Sequence, residues 1–217
     1  MDRQNYKIQI FSRPNQQLKK NWQDLEKKSS GYCFQTYEWF QNWVNNFRSS
    51  ENDTLCIVVV SNLDKILLIL PLEIIKKFNL KFLQWLGDKH VDYFSPIINE
   101  DFNLTKEDFN DLWRQIKRTV PKFDLIFFTK QPKLIENVDN PFVSFLKNYR
   151  DSNIYYAVLP KTWDEYSQNV LKKKFRTQNL RSKKLLKKMG KINFKIITDQ
   201  NEKIKYINEL FLQKNKQ

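Results

Sequence analysis

The chain has 217 residues, a formal net charge of +14 and 41% apolar residues, so its size and composition allow a packed core. One histidine and two cysteines exclude a zinc site built from Cys and His, an iron–sulfur cluster and a disulfide scaffold. Three glycines exclude a Walker loop and a dinucleotide-binding G-x-G-x-x-G motif. Any chemistry must therefore use carboxylates, hydroxyls, lysine, backbone groups or a bound cosubstrate, and we expect no metal.

The N-terminal residues contain no apolar segment typical of a signal peptide. The longest apolar run, Ile66 to Leu72, is far shorter than the ~20 residues of a membrane helix. These features predict a cytoplasmic protein without a membrane span.

The first half of the chain predicts a strand, two helices and a hairpin. Tyr6 to Phe11 alternates polar and apolar residues and predicts the strand. Thr36 is a plausible N-cap for the second helix. Apolar residues recur at helical spacing at Leu18, Trp22 and Leu25 and again at Trp39, Phe40, Trp43, Val44 and Phe47.

Two further apolar runs, Leu55 to Ser61 and Lys65 to Ile75, predict an antiparallel hairpin with a buried centre. Because proline cannot donate to a strand ladder, Pro71 in the second run predicts a sheet edge or a bulge. A short strand is then expected at Lys81 to Gly87, followed by a loop that ends at Pro96.

The second half begins with a helix that Thr105 and Asp108 introduce and Pro121 ends. Thr162 and Glu165 introduce a second helix, which we expect to continue, with a break, to Met189. Gly190 is its expected C-terminal cap, and Ile204, Ile207, Leu210 and Phe211 mark a last helix. The remaining expected elements are strands at Phe123 to Thr129, Ile154 to Leu159 and Ile192 to Ile197, and a short helix at Pro141 to Tyr149.

This element order predicts a mixed α/β domain over residues 1–160. Residues 161–217 contain a basic helix, one strand and one helix, which are too few for an independent sheet. We expect them to pack on the first domain or to open a second domain that this chain does not complete.

Several short motifs occur in a characteristic order along nearly the whole chain. They are Trp22-x-x-Leu25, the segment Tyr32 to Trp39 with Trp43, Leu70-Pro71-Leu72, Leu86-Gly87, Asp92-Tyr93-x-x-Pro96, and Lys174-Phe175-Arg176-x-x-x-x-Arg181 before Gly190. In this order the chain resembles the GNAT-type acyltransferases of the CelD and BioF2-like group, relatives of the FemAB aminoacyltransferases. The resemblance implies a GNAT-like, mixed and largely antiparallel sheet flanked by helices, and then the start of a second GNAT-like unit in a C-terminally truncated chain.

The resemblance also implies an activity. An acyl group would pass from acyl-CoA, or another activated carrier, to an amine or hydroxyl of a small molecule or a cell-envelope precursor. A typical GNAT domain grips pyrophosphate with a glycine-bearing loop at a helix N-terminus. The corresponding helix here begins near Thr105 with no glycine before it, so we expect most of the acyl-CoA site to lie outside this chain.

Asp92 and Tyr93 are the candidate catalytic and substrate-binding pair, in a loop after a short strand. The carboxylate could orient or deprotonate an amine, and the phenol could donate to a leaving thiolate. Alternatively, Asp92 caps a turn and Tyr93 packs. His90 is close to Asp92 in the sequence, but an isolated loop histidine more often has no catalytic role. The resemblance places Arg176 and Arg181 at recurring positions, which implies that they bind substrate.

Ten basic residues and no acidic residue lie between Lys172 and Lys191, so the rest of the chain carries only +4. The run could be a solvated helix face, with Leu171, Phe175, Leu185, Leu186 and Met189 turned inward. It could also neutralise phosphates of an acyl carrier, or of nucleic acid, although Phe175 is its only stacking aromatic. The alternative function is therefore a non-catalytic polyanion-binding module.

Overall fold

The computed structural model describes residues 6–47, 53–63, 65–87, 90–149 and 158–216. The chain divides into two compact units, Met1–Ile154 (unit 1) and Tyr155–Gln217 (unit 2). The strand expected over Ile154 to Leu159 lies mostly outside the described residues, and Val158 and Leu159 have irregular structure.

Unit 1 is built on a seven-stranded sheet. Its strands are β1 (Lys7–Phe11), β2 (Ser29–Ser30), β3 (Thr54–Asn62), β4 (Lys65–Lys77), β5 (Leu80–Trp85), β6 (Ile97–Asn99) and β7 (Leu125–Phe127), and a separate small hairpin comprises β8 (Leu134–Ile135) and β9 (Val138–Asp139). Its helices are α1 (Gln16–Glu26), α2 (Tyr37–Phe47), α3 (Lys106–Thr119) and α4 (Pro141–Ser144).

The main path of the sheet runs β1-β3-β4-β5-β7. Every pairing is antiparallel except that of β5 with β7, which is parallel. A parallel pair needs a long crossover, and the segment that contains α3 supplies it. The predicted class, a mixed and largely antiparallel α/β fold, is confirmed.

The β3–β4 hairpin is confirmed, but Pro71 is not on a sheet edge, because β4 lies between β3 and β5. The Leu86 amide donates to the Pro71 carbonyl at 2.9 Å. The nitrogen and oxygen of a strand residue point to the same side of the strand. On that side, β4 pairs with β6 before Pro71 and with β5 after it, so the proline nitrogen, which has no hydrogen to donate, lies where no ladder hydrogen bond is needed. The bulge lies instead at Val60/Ser61.

Helices cover both faces of the sheet. On one face α1 and α2 bury Leu18, Trp22 and Phe40 against Ile57 and Val59. On the other face α3 packs in one core with the opposite side of the same strands, through Phe109, Leu112, Trp113, Val58, Leu70 and Leu83. Each such side chain contributes about 1.5–3 kcal/mol through burial. Because side chains alternate along β3 and β4, each strand supplies apolar residues to both helical layers.

Two predicted caps hold the helices in place. The Thr36 hydroxyl accepts from the Trp39 amide at 3.2 Å, and the Thr105 hydroxyl accepts from the Asp108 amide at 3.1 Å. Each side chain satisfies one of the amides that a helix start leaves without an intrahelical partner. α3 ends before Pro121, as predicted.

Unit 2 contains α5 (Trp163–Glu165), a wider helical turn at Tyr166–Val170, α6 (Lys173–Met189) and α7 (Gln200–Lys214). The Thr162 cap, the break before α6 and the Gly190 cap are as predicted. The strand predicted at Ile192 to Ile197 is wrong: this segment is irregular. An alternating pattern forms a strand only beside a neighbour that completes its hydrogen bonds, and the described part of unit 2 contains no strand to pair with it.

Within the described ranges, no helix is both long and apolar enough to cross a bilayer.

Candidate functional site

The carboxyl ends of β5 and β7 share one region of the sheet because these strands are parallel. Parallel strands commonly place ligand-binding loops at this end. Here the segments after β5 and β7 meet each other and the turn that precedes α2. We call this region the loop junction, and it comprises residues 31–36, 90–96 and 128–134.

Lys130 joins the two segments that follow the parallel strands. Its carbonyl accepts from the Phe94 amide at 3.1 Å, and its Nζ donates to the Val91 carbonyl at 2.7 Å. The same Nζ lies 5.9 Å from the centroid of the Phe94 ring. Lys130 has a φ of 51°, a strained conformation for a non-glycine residue, and these contacts hold it there.

Gln35 ties the turn before α2 to the same loops. Its Nε2 donates to the Tyr93 carbonyl at 2.9 Å, and its Oε1 accepts from the Tyr32 amide at 3.1 Å. Its own carbonyl accepts from Trp22 Nε1 at 2.8 Å. Gln35 is only 4% exposed, so its hydrogen-bonded side chain holds these loops together from a buried position. Gln35 was not predicted as a site residue, because its only signal in the sequence is an amide inside an aromatic segment.

Asp92 and Tyr93 both lie at the loop junction. Asp92 is exposed, and Tyr93 is half-buried with its ring centroid 5.3 Å from that of Tyr32. Tyr93 therefore packs, as the alternative interpretation expected, whereas Asp92 caps no turn formed by the described residues. Among the described residues, neither the Asp92 carboxylate nor the Tyr93 hydroxyl has a hydrogen-bond partner, so both can contact a substrate.

Two further polar atoms of the junction lack partners in the described part of the chain. They are Ser95 Oγ, on a residue that is 1% exposed, and Gln131 Oε1. Buried polar atoms are normally hydrogen-bonded, so each of these two atoms could accept a partner from a bound ligand. Their neighbours in sequence, Phe94 and Lys130, are joined by a hydrogen bond.

His90 lies at the edge of the loop junction, but its contacts do not suit a catalytic role. Its ring is exposed and lies 4.5 Å from that of Phe47, centroid to centroid. Its backbone amide donates to the Gly87 carbonyl at 3.0 Å. Hydrogen bonds to the His90 ring, which would orient a general base, are absent among the residues described.

Arg176 and Arg181 lie on α6 in unit 2. Arg176 Nη1 donates to the carbonyls of Ser167 and Gln168, at 3.2 and 2.9 Å. Arg176 thus closes the turn before α6, a structural contact that leaves its other donors for a ligand. Arg181 is exposed and makes no such contact in the described chain. Substrate binding by this pair stays a prediction.

Cys56 offers no activated nucleophile. Burial raises the pKa of the Cys56 thiol to about 12, so its reactive thiolate is not populated at neutral pH. Cys33 is exposed. No cluster of three or more His, Cys, Asp or Glu side chains suited to a metal ion occurs within the described ranges.

The start of α3 does not fit the pyrophosphate of an acyl carrier. Thr105 caps it, and Glu107 and Asp108 lie in its first turn. The Thr105 hydroxyl donates to Asp108 Oδ2 at 2.7 Å, which holds this carboxylate at the helix start. Two negative charges there oppose an anionic ligand, although they favour the helix itself.

The buried carboxylate of Glu73 was also not predicted from the sequence. Glu73 on β4 is 5% exposed and accepts from Gln84 Nε2 on β5 at 2.8 Å. Its signal was a lone acid inside the apolar run Leu72-Glu73-Ile74. Its burial separates it from the surface on which Asp92 lies.

Two open clefts lie away from the loop junction. One, of about 540 Å³, is bordered by Lys65, Asp101 and Phe102, and the other, of about 460 Å³, lies between α1 and the start of β4. Neither is lined by Asp92 or Tyr93.

No protein-family model, curated protein or solved structure matches this chain.

Proposed function

We propose that the protein is an acyltransferase that moves an acyl group from a thioester, acyl-CoA being the expected donor, to an amine or hydroxyl acceptor. The observation that carries the proposal is the pairing of an exposed carboxylate, Asp92, with the free phenol of Tyr93 at the carboxyl ends of parallel strands. Gln35 and Lys130 fix the backbone on both sides of this pair.

The chemistry requires two proton transfers. The acceptor nitrogen or oxygen attacks the thioester carbonyl carbon, and the C–S bond breaks. The Asp92 carboxylate takes the proton that the acceptor loses, and the Tyr93 hydroxyl supplies a proton to the departing thiolate. Adjacent residues on one braced loop hold both groups near the reacting atoms, which lowers the entropic cost of the reaction.

The fold is compatible with this proposal. Its mixed, largely antiparallel sheet with flanking helices agrees with the architecture that the resemblance implies. The start of α3 does not fit a pyrophosphate, so the donor's phosphates must be held by other groups. A small amine or a cell-envelope precursor is the acceptor class we propose.

The test is a transfer assay on the product of the complete reading frame that encodes this sequence. Free thiol released from acyl-CoA is measured against a panel of amine and hydroxyl acceptors. Asp92→Asn should lower turnover by about 10²–10⁴-fold and Tyr93→Phe by about tenfold or more. Asp24→Asn, which removes an exposed carboxylate on α1, is the matched control and should leave turnover unchanged. Wild-type turnover in both site variants would overturn the proposal.

The competing function is a non-catalytic polyanion-binding module, favoured by the exposed basic residues of α6. Such binding depends on charge and weakens steeply with salt. A protein that releases no thiol with any acceptor, yet binds duplex DNA with a steep salt dependence, would support this function instead.

A further inference from the structure

The basic residues of α6 occupy one side of the helix. At about 100° per residue, every Lys and Arg from Lys172 to Lys188 falls on an arc of about 200°. The opposite arc, about 120° wide, contains no charge. It contains Phe175, Gln178, Asn179, Ser182, Leu185, Leu186 and Met189. One leucine, Leu180, falls among the charges.

The apolar residues on the uncharged arc are exposed. Phe175 and Leu186 are 53% and 54% exposed, and Leu185 and Met189 are exposed further. No described residue of unit 2 is buried, so nothing in the described part of this unit covers the arc. A helix that presents a dense basic face beside an uncharged strip with large apolar side chains has the composition of an interfacial helix.

The charge selects among possible occupants. A second copy of the same helix would bring like charges together, since the run from Lys172 to Lys191 holds ten basic residues and no acid. Nucleic acid would use the charges but would leave the uncharged arc in water. A bilayer with acidic headgroups satisfies both faces, because long lysines at the border of the arc reach headgroups while apolar side chains enter the interface.

We propose that α6 docks in the plane of membranes that carry anionic lipids, with Phe175, Leu186 and Met189 inserted at the level of the acyl boundary. This is a surface attachment and is independent of the acyl-transfer proposal. It goes beyond polyanion binding because it requires the uncharged arc as well as the basic residues.

The test is cosedimentation of the whole chain with vesicles of phosphatidylcholine alone or mixed with phosphatidylserine. Binding is expected only to the mixed vesicles and should fall as salt is raised. Leu186→Gln should weaken it by about tenfold, since apolar insertion is lost. Leu180→Gln is the matched control, because Leu180 is exposed to a similar degree, 62%, but lies among the basic residues. It should change binding by less than about twofold.

Three results would overturn the proposal. Equal weakening by the two leucine variants would show that the uncharged arc has no special role. Vesicle binding that depends on charge but is insensitive to Leu186→Gln, with equal affinity for duplex DNA, would show attraction to any polyanion. Absence of binding to mixed vesicles would show that α6 does not dock on anionic membranes. Circular dichroism of both variants, expected to match the wild type because both sites are exposed, confirms that differences in binding do not come from unfolding.

Discussion

Gly87 ends the strand region before the loop junction and has a φ of +123°. A Cβ at this position would lie 2.5 Å from Val91 Cγ2 and 2.8 Å from the Trp39 ring. Both the backbone conformation and the close approach therefore require glycine. Gly87→Ala should lower the free energy of unfolding by about 2–4 kcal/mol, measured by urea denaturation.

The control for this change is Gly31→Ala. The nearest atom to a Cβ at Gly31 is Gln35 Cβ at 3.7 Å, an ordinary contact. The loss there should be less than ~1 kcal/mol. Equal losses at the two glycines would contradict the role assigned to Gly87.

Glu26 gives the protein a predicted pH dependence. Burial raises the pKa of its carboxyl, the hydrogen bond from the Tyr37 amide partly opposes this rise, and the nearby Glu38 adds to it. The folded pKa therefore lies above the unfolded value of about 4.3. A raised carboxyl pKa favours the folded state at low pH, and this contribution is lost as the pH rises through the folded pKa.

Glu26→Gln should remove this dependence while keeping an acceptor for Tyr37. Unfolding free energies of the wild type and the variant are measured from about pH 4 towards neutrality. The wild type should lose stability relative to the variant across this range. Parallel curves for the two proteins would refute the prediction.

At the candidate site, the sequence predicted two candidate residues, Asp92 and Tyr93, but not the residues that position their loop. Asp92 and Tyr93 were identifiable because a loop with an acid and a phenol stands out next to a strand. Gln35 could not be identified, because its role depends on contacts with Tyr93 at a separation of 58 residues. Such contacts follow from the tertiary fold and leave no local pattern.

At the level of elements, amphipathic helices and apolar strands were predictable because their periodicity is local. The β3–β4 hairpin and the start of α3 at Thr105 are examples. Short strands such as β2 and β6 were missed, since they exist only through pairing with each other and with β4. The strand expected at Ile192 to Ile197 did not form for the converse reason: the segment has the alternating pattern, but the described part of unit 2 contains no strand to pair with it.

The junction between the turn at Tyr166–Val170 and α6 depends on Arg176. Its guanidinium holds the Ser167 and Gln168 carbonyls, which a helix end leaves without partners. Arg176→Ala should lower amide-exchange protection at Leu171 by about fivefold, the equivalent of one net hydrogen bond of ~1 kcal/mol. Arg181→Ala removes the same charge from the exposed part of α6 and should leave that amide unchanged.

At the scale of the whole molecule, all buried residues of the described ranges lie in unit 1. Its core occupies both faces of the sheet, whereas every described residue of unit 2 is exposed or half-buried. Stability arises mainly from apolar burial, so unit 1 should hold nearly all the folding free energy of the described chain.

The start of α3 determines what we expect of coenzyme A binding by the whole chain. The loop before α3 contains no glycine, and the first turn of α3 carries Glu107 and Asp108. Residues 1–217 should therefore bind acetyl-CoA weakly, with a Kd well above ~1 μM, the value that corresponds to about −8 kcal/mol. Isothermal calorimetry measures this directly.

The double variant Glu107→Gln with Asp108→Asn tests the cause. If the acidic helix start excludes the ligand, this variant should bind more tightly, and the gain should fade at high salt. Saturable micromolar binding by the unmodified chain would show that the phosphates are held elsewhere in unit 1 or by the basic residues of α6.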